Sequence, residues 1–341
     1  MNKSNHFMAL LSVCGIFLVL LGHSGFEEEI IQTKLSGLHS WIYSFHMPLF
    51  FFISGFLFSL TNPEMKQACT GKFIWKKTKR LMAPYFVLGT IIFAIKYALS
   101  GLSHATREFT VSNFFKMFFV PSAGYSTIGH LWYVFTLYFI FLLVLGFICI
   151  RVLSESNVKL CIVTAGLWLF CYFLPTIQVF NLTSILYYAP FFVLGILLQR
   201  NYQSLSAVFE NRNGGGYKCP LYFALTVACL FLPISGLYVR IFRAIIGILF
   251  SLSFCDLIIR KMPRLEIWMV EFSNKTYTIY LLSWFGHYMV KVVLVNVLNC
   301  HYLIVVAGMF AGGLLFPLAV CWLVDKVSLL NKKGLRLIIG Y

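Results

Sequence analysis

Charge is what this chain has least of. Asp, Glu, Lys and Arg together make up 11% of its 341 residues, where a soluble domain carries roughly 25%. No globule of this length could hide a 60% share of hydrophobic residues and keep a wettable surface. A cytosolic enzyme, a secreted domain and a disordered tail are all excluded. Acidic residues are the scarcer kind, 11 against 27 Lys and Arg, for a net charge of +16. In a soluble chain that excess would point to nucleic acid. Here the cations sit in short clusters between apolar runs and act first as topology signals, so no nucleic-acid partner is expected.

Other signals are missing too. The ten cysteines show no pairing rhythm and no CxxC. Cys14, Cys161, Cys171, Cys229, Cys255 and Cys321 lie inside apolar stretches, where a thiol acts as a small hydrophobe. Neither disulfides nor a metal site are expected. The apolar run 7–21 ends in Gly22-His23-Ser24 without an A-x-A-like cleavage site, so it does not read as a removable signal peptide. Gly214-Gly215-Gly216 lacks the Lys-Ser/Thr of a phosphate loop and reads as a flexible connector.

What the chain has instead is long apolar runs. A membrane-spanning helix needs about 20 apolar residues. Ten runs qualify: about 7–25, 40–60, 81–100, 129–150, 158–175, 183–200, 219–237, 241–260, 275–298 and 303–325. They are continuous rather than alternating, which argues against a barrel. The expected fold is an all-α integral membrane protein, a bundle of about ten transmembrane helices. With the N-terminus inside, 20 of the 27 Lys and Arg fall on the inner side and five on the outer, with Lys96 and Lys291 inside helices. That asymmetry predicts both termini in the cytoplasm, with Glu27-Glu28-Glu29 facing out. Residues 1–341 are expected to form a single membrane-embedded domain with no appended soluble domain.

Polar groups at membrane depth are costly and therefore functional candidates. His23 follows Gly22 at the end of the first run. From position alone, an interfacial histidine and a functional one weigh equally. His46 lies in Phe45-His46-Met47-Pro48-Leu49-Phe50-Phe51-Phe52-Ile53-Ser54-Gly55-Phe56, with Pro48 expected near a helix start. His130 opens the fourth run in His130-Leu131-Trp132-Tyr133. The topology puts these three histidines in the outer part of the bundle, and a neutral imidazole suits a general base. On the inner side, Lys76, Lys77, Lys79 and Arg80 form a cationic cluster. Topology and anionic lipid weigh more there than the alternative, a seat for phosphates. Lys96 and Lys291 are expected to snorkel, and Asp256 to pair with a loop cation. His39, His104 and His301 carry no distinguishing feature. Asn181-Leu182-Thr183 is a weak glycosylation pattern.

Together these stretches resemble the acyltransferase family 3 membrane proteins, which are mostly bacterial. The resemblance runs along the whole chain. It includes Val19-Leu20-Leu21-Gly22-His23-Ser24, the His46 stretch, Lys76-Lys77-Thr78-Lys79-Arg80-Leu81 with Pro84-Tyr85, His130-Leu131-Trp132-Tyr133, Ala189-Pro190-Phe191-Phe192-Val193-Leu194-Gly195 and the segment from Ser273 to Leu282. It is nearest to the sugar O-acetyltransferases of surface polysaccharides. It implies transfer of an acyl group, usually acetyl from acetyl-CoA as donor substrate, to a hydroxyl of a surface polysaccharide or lipid-linked sugar at the bacterial cytoplasmic membrane. His23 matches the family's catalytic base. The run ending at Arg80 matches its donor-handling cluster. His46, Ser54, Gly55, His130 and Trp132 match motif positions of less defined role.

Two positions depart from the pattern. Ser12 stands where the family usually has Arg or Lys, eleven residues before the histidine. Ser283 stands where a histidine is common, with His287 one helical turn later. The alternatives are a polysaccharide or lipid-linked sugar exporter and a non-catalytic subunit of a polysaccharide synthesis complex. The acceptor sugar, the acyl group and the oligomeric state stay open.

Overall fold

A computed structural model describes residues 3–25, 29–61, 70–98, 109–121, 126–150, 156–210, 216–232, 236–326 and 332–340. Glu27, Glu28, His104, Gly214 and Gly215 lie outside them, as do several of the loop cations counted above. The described residues contain no strand. They form α1 (Lys3–Gly22), α2 (Glu29–Lys34), α3 (Ser36–Thr61), α4 (Gly71–Ala98), α5 (Val111–Phe119), α6 (Trp132–Cys149), α7 (Asn157–Phe173) and α8 (Leu182–Arg200). There follow α9 (Tyr202–Leu205), α10 (Lys218–Ala228), α11 (Leu237–Lys261), α12 (Pro263–Phe272), α13 (Thr276–Lys291), α14 (Tyr302–Lys326) and α15 (Lys332–Ile339). An all-helical answer follows from the composition: in lipid, each backbone N–H and C=O must be satisfied within its own segment.

Seven helical stretches are long and apolar enough to cross a membrane: Ser36–Thr61, Gly71–Ala98, Gly129–Cys149, Val179–Arg200, Leu237–Lys261, Pro263–Val297 and Tyr302–Lys326. Three apolar helices are shorter, His6–Gly22, Asn157–Phe173 and Lys218–Phe231. They occupy three of the ten runs picked out by sequence. The chain is thus a multi-pass membrane protein. Its helices expose large apolar side chains such as Phe173, Leu315 and Trp322, surfaces suited to lipid.

Several boundaries differ from expectation. α3 begins at Ser36, so Pro48 lies deep inside the helix rather than near its start. A proline there removes one intrahelical bond, a loss that membrane helices tolerate where neighbours re-satisfy the backbone. α4 begins at Gly71, so the cationic cluster is helical and not a loop. Asp256 pairs with Arg260 of its own helix, Nε to Oδ1 at 2.9 Å. Lys96 donates to the Thr127 carbonyl at 2.6 Å. Asn181 is buried and its amide donates to Thr136 Oγ1 at 2.8 Å, so the glycosylation pattern presents no accessible amide.

The chain divides into two compact units. One comprises residues 1–57, 195–328 and 341, the other 58–194 and 329–340. In the first, α3 makes several close contacts, and it is the most buried of the seven long helical stretches. A Cβ on Gly247 of α11 would fall 2.2 Å from Phe45 Cγ, and one on Gly15 of α1 would fall 2.9 Å from Phe50 Cζ. The indole of Trp41 donates to Thr226 Oγ1 of α10 at 2.8 Å. α1 packs on α11, α12, α13 and α14, and α13 pairs extensively with α14. In the second unit, Phe58, Phe141 and Phe192 form an aromatic core with centroids 5.1–5.7 Å apart. α4 packs there on α5, α6 and α15.

Candidate functional site

The end of α1 is built from four consecutive residues with different tasks. Gly22 closes the helix. Ser24 is buried, and its hydroxyl donates to the Leu20 carbonyl at 2.7 Å, satisfying one of the acceptors that a helix C-terminus leaves open. Gly25 has φ +84°, a conformation that glycine adopts without strain, and turns the chain away. His23, between them, is exposed.

Gly22 also sets how near α3 can come. A Cβ on it would lie 3.2 Å from Ile42 Cγ2 and 3.2 Å from Tyr43 Cε2. Without one, the Tyr43 hydroxyl reaches within 3.4 Å of the Gly22 carbonyl oxygen and 3.5 Å of His23 Nδ1. His39, Tyr43 and His46 follow one another at i, i+4 and i+7 on α3, and so share one face. The Tyr43 centroid is 4.0 Å from that of His39 and 4.8 Å from that of His46. His46 is buried and its Nδ1–H donates to the Ile42 carbonyl at 2.8 Å. In the neutral ring this leaves Nε2 as an acceptor.

α13 contributes His287, which is 6% exposed. Its ring lies against the main chain of α14. A Cβ on Gly313 would fall 2.4 Å from His287 Nε2, and among the described residues that nitrogen has no hydrogen-bond partner. The Tyr43 ring lies between two of these imidazoles, its centroid 6.1 Å from that of His23 and 4.8 Å from that of His46. Among the described residues no three His, Cys, Asp or Glu side chains are disposed to hold a metal ion.

The other residues singled out by sequence fall as follows. Ser54 is half-buried on α3, about 12 Å along the axis from His46 at 1.5 Å per residue. Ser283 is buried one turn before His287, and its hydroxyl donates to the Tyr280 carbonyl at 3.4 Å. Ser12 is half-buried, and its hydroxyl donates to the Met8 carbonyl at 2.8 Å. A neutral group turned back on its own helix thus stands where the family pattern has a cation.

The second unit holds the remaining candidates. His130 lies in the short turn Gly129–Leu131 before α6, and the Trp132 ring packs on Tyr188 at 5.3 Å. On α4, Lys76, Lys79 and Arg80 are exposed, whereas Lys77 is partly buried. The Lys77 ammonium sits 4.3 Å from the Phe141 centroid and 5.4 Å from that of Phe73. Lys76, Lys79 and Arg80 share a face at i, i+3 and i+4, from which Lys77 points away.

Sequence reasoning passed over Tyr43 and His39. The signal was present as the 39–43–46 spacing, a heptad-like stripe of polar rings in an otherwise apolar helix.

No curated protein and no solved structure matches the chain. A family model described as an acyltransferase domain matches residues 5–325, nearly the whole length and every stretch on which the resemblance was drawn. A multi-pass membrane protein with a cluster of imidazoles at the end of its first helix, the chain belongs to acyltransferase family 3.

Proposed function

We propose that this membrane acyltransferase moves an acetyl group from acetyl-CoA to a hydroxyl of a surface polysaccharide or lipid-linked sugar, with His23 as general base. The observation that carries this reading is the setting of His23: an exposed imidazole at a helix end, its Nδ1 beside the Tyr43 hydroxyl, with His46 on the far side of that same ring. A base that meets an incoming alcohol must be reachable, and the exposure of His23 supports that reading.

The step balances without a metal. The imidazole lone pair takes the hydroxyl proton as the oxygen attacks the thioester carbonyl carbon. The tetrahedral oxyanion then collapses, the C–S bond breaks, and the departing thiolate takes the proton back from the imidazolium. General-base assistance of this kind contributes roughly 10²–10⁴-fold.

Donor binding is assigned to Lys76, Lys77, Lys79 and Arg80. The exposed face of Lys76, Lys79 and Arg80 suits phosphate oxygens. His46, Ser54, Ser283 and His287 in the first unit, and His130 and Trp132 in the second, are each proposed as candidates for substrate contacts. The arrangement in the membrane is proposed as ten spans with both termini in the cytoplasm of a bacterial cell. It is supported by ten apolar helices and by the lopsided distribution of Lys and Arg.

The test is a His23→Ala strain. Loss of acetyl groups from the surface glycan, with its amount and export intact, is the expected result. Lost export with unchanged acetyl content per sugar would indicate an exporter instead, and no change in either would indicate a non-catalytic subunit.

A further inference from the structure

We infer that the exposed indole of Trp75 on α4 is the stacking platform for the nucleobase of a nucleotide-bearing acyl donor. This role rests on the reading of α4 as the donor seat and adds a base contact to its phosphate contacts. Lys72, Trp75, Lys76 and Lys79 follow one another at i, i+3, i+4 and i+7, and so share one face of α4. All four are exposed, Trp75 with 61% of its surface open. The Lys79 ammonium stands 5.5 Å from the indole centroid. A flat π surface and several cations thus sit side by side on one helix.

A tryptophan of the membrane interface places its ring at the edge of the hydrocarbon, with cations reaching past it toward water. Here the order is reversed. Trp75 lies six residues before the apolar stretch that opens at Leu81, a rise of about 9 Å. Lys76, Lys77, Lys79 and Arg80 come between. Helical side chains also lean toward the N-terminus, which carries the indole further from the apolar stretch. The ring is on the aqueous side of the charged layer, where it has no hydrocarbon to meet.

The cations by themselves call only for an anion. α4 carries no Asp or Glu, and its like charges stand three and four residues apart, where they repel one another. Anionic lipid and a nucleotide's phosphates would both relieve that repulsion. The indole separates the two, because a lipid headgroup offers it no flat ring and a nucleobase does. The spacing suits a nucleotide. Trp75 and Lys79 are one turn apart, about 6 Å along the axis, so a base on the indole keeps its phosphates beside Lys76 and Lys79. Trp75 then sets donor affinity without touching the reacting thioester.

Binding of coenzyme A to the full chain in nanodiscs of uncharged lipid tests the assignment without relying on turnover. Trp75→Leu should weaken binding by about 5-fold to 10-fold, the lower part of the range for one base–aromatic stack. Trp75→Phe keeps a ring and should recover most of that loss. In kinetics on membranes, Trp75→Leu should raise the KM for acetyl-CoA by a similar factor at unchanged kcat. The KM for S-acetylpantetheine, which lacks the nucleotide, should stay as it was. Undiminished coenzyme A binding by Trp75→Leu, or an equal rise in KM for both donors, overturns the role of Trp75. A variant that binds coenzyme A normally and loses only its response to added anionic lipid marks Trp75 as a headgroup anchor, which overturns it as well. Absence of coenzyme A binding by the unmodified protein overturns the donor reading of α4 itself.

Discussion

Gly195 of α8 and Phe52 of α3 meet backbone to backbone. A Cβ on Gly195 would stand 2.0 Å from the Phe52 carbonyl oxygen and 2.7 Å from the Phe56 nitrogen. The glycine ends one of the stretches that carry the family resemblance, and the two phenylalanines lie in another. Their shared role is a close approach that no other residue allows. Gly195→Ala should therefore destabilise the fold by the upper part of the ~1–3 kcal/mol typical of overpacking, because the obstructing atoms are main chain and cannot rotate away. Gly146 and Gly166 have nothing within 4 Å of a built Cβ. Gly146→Ala should stabilise by roughly 0.5–1 kcal/mol, since it removes a glycine from a helix interior. Thermal midpoints in detergent for the two variants should move in opposite directions.

The cationic cluster on α4 divides into two kinds of lysine. Lys79 and Arg80 are exposed on one face, the Lys79 ammonium 5.5 Å from the centroid of the exposed Trp75, while the Lys77 ammonium rests partly buried over Phe141 and Phe73. Lys79→Gln and Arg80→Gln should each raise the KM for acetyl-CoA by roughly 3-fold to 10-fold, the scale of an exposed charge-assisted contact, and leave acceptor use alone. Lys77→Met should act mainly on stability, by the ~0.5–2 kcal/mol of a cation–π contact. Kinetics on membranes check this, after orientation has been verified by labelling from each side. An equal KM effect for all three variants would show that partial burial does not set Lys77 apart.

The membrane helices were legible because lipid demands long apolar runs, and each of the ten runs contains a helix among the described residues. Their limits were less so. α3 extends four residues before the apolar run 40–60, and α4 begins ten residues before 81–100, because Gly71 to Arg80 alternates cations with Phe73, Ile74 and Trp75 in a pattern that hydropathy averages away. The site was legible where a residue announces itself by cost, as His23 and His46 do inside apolar sequence. Tyr43 was not, because a tyrosine in a membrane protein has many ordinary uses and its meaning depends on the rotational phase of α3 against α1. That phase is set by Gly22, a residue with no side chain to read.

His287 provides the sharpest separation of stability from function. It is buried, its Nε2 has no hydrogen-bond partner among the described residues, and its ring abuts Gly313. A buried polar atom in that state costs about 1–3 kcal/mol, so an apolar side chain of similar volume should pack there at least as well. His287→Leu should thus keep or raise the thermal midpoint. If the imidazole serves acyl transfer, the same variant should lose at least about tenfold in turnover, the low end of an acid–base contribution. Gly313→Ala approaches the question from the other helix. Its methyl would meet the ring at 2.4–2.8 Å and force it aside, so turnover should fall in parallel while the histidine remains present. Full turnover in both variants would make His287 a packing residue and leave Ser283, one turn earlier, as the acceptor-side candidate on α13.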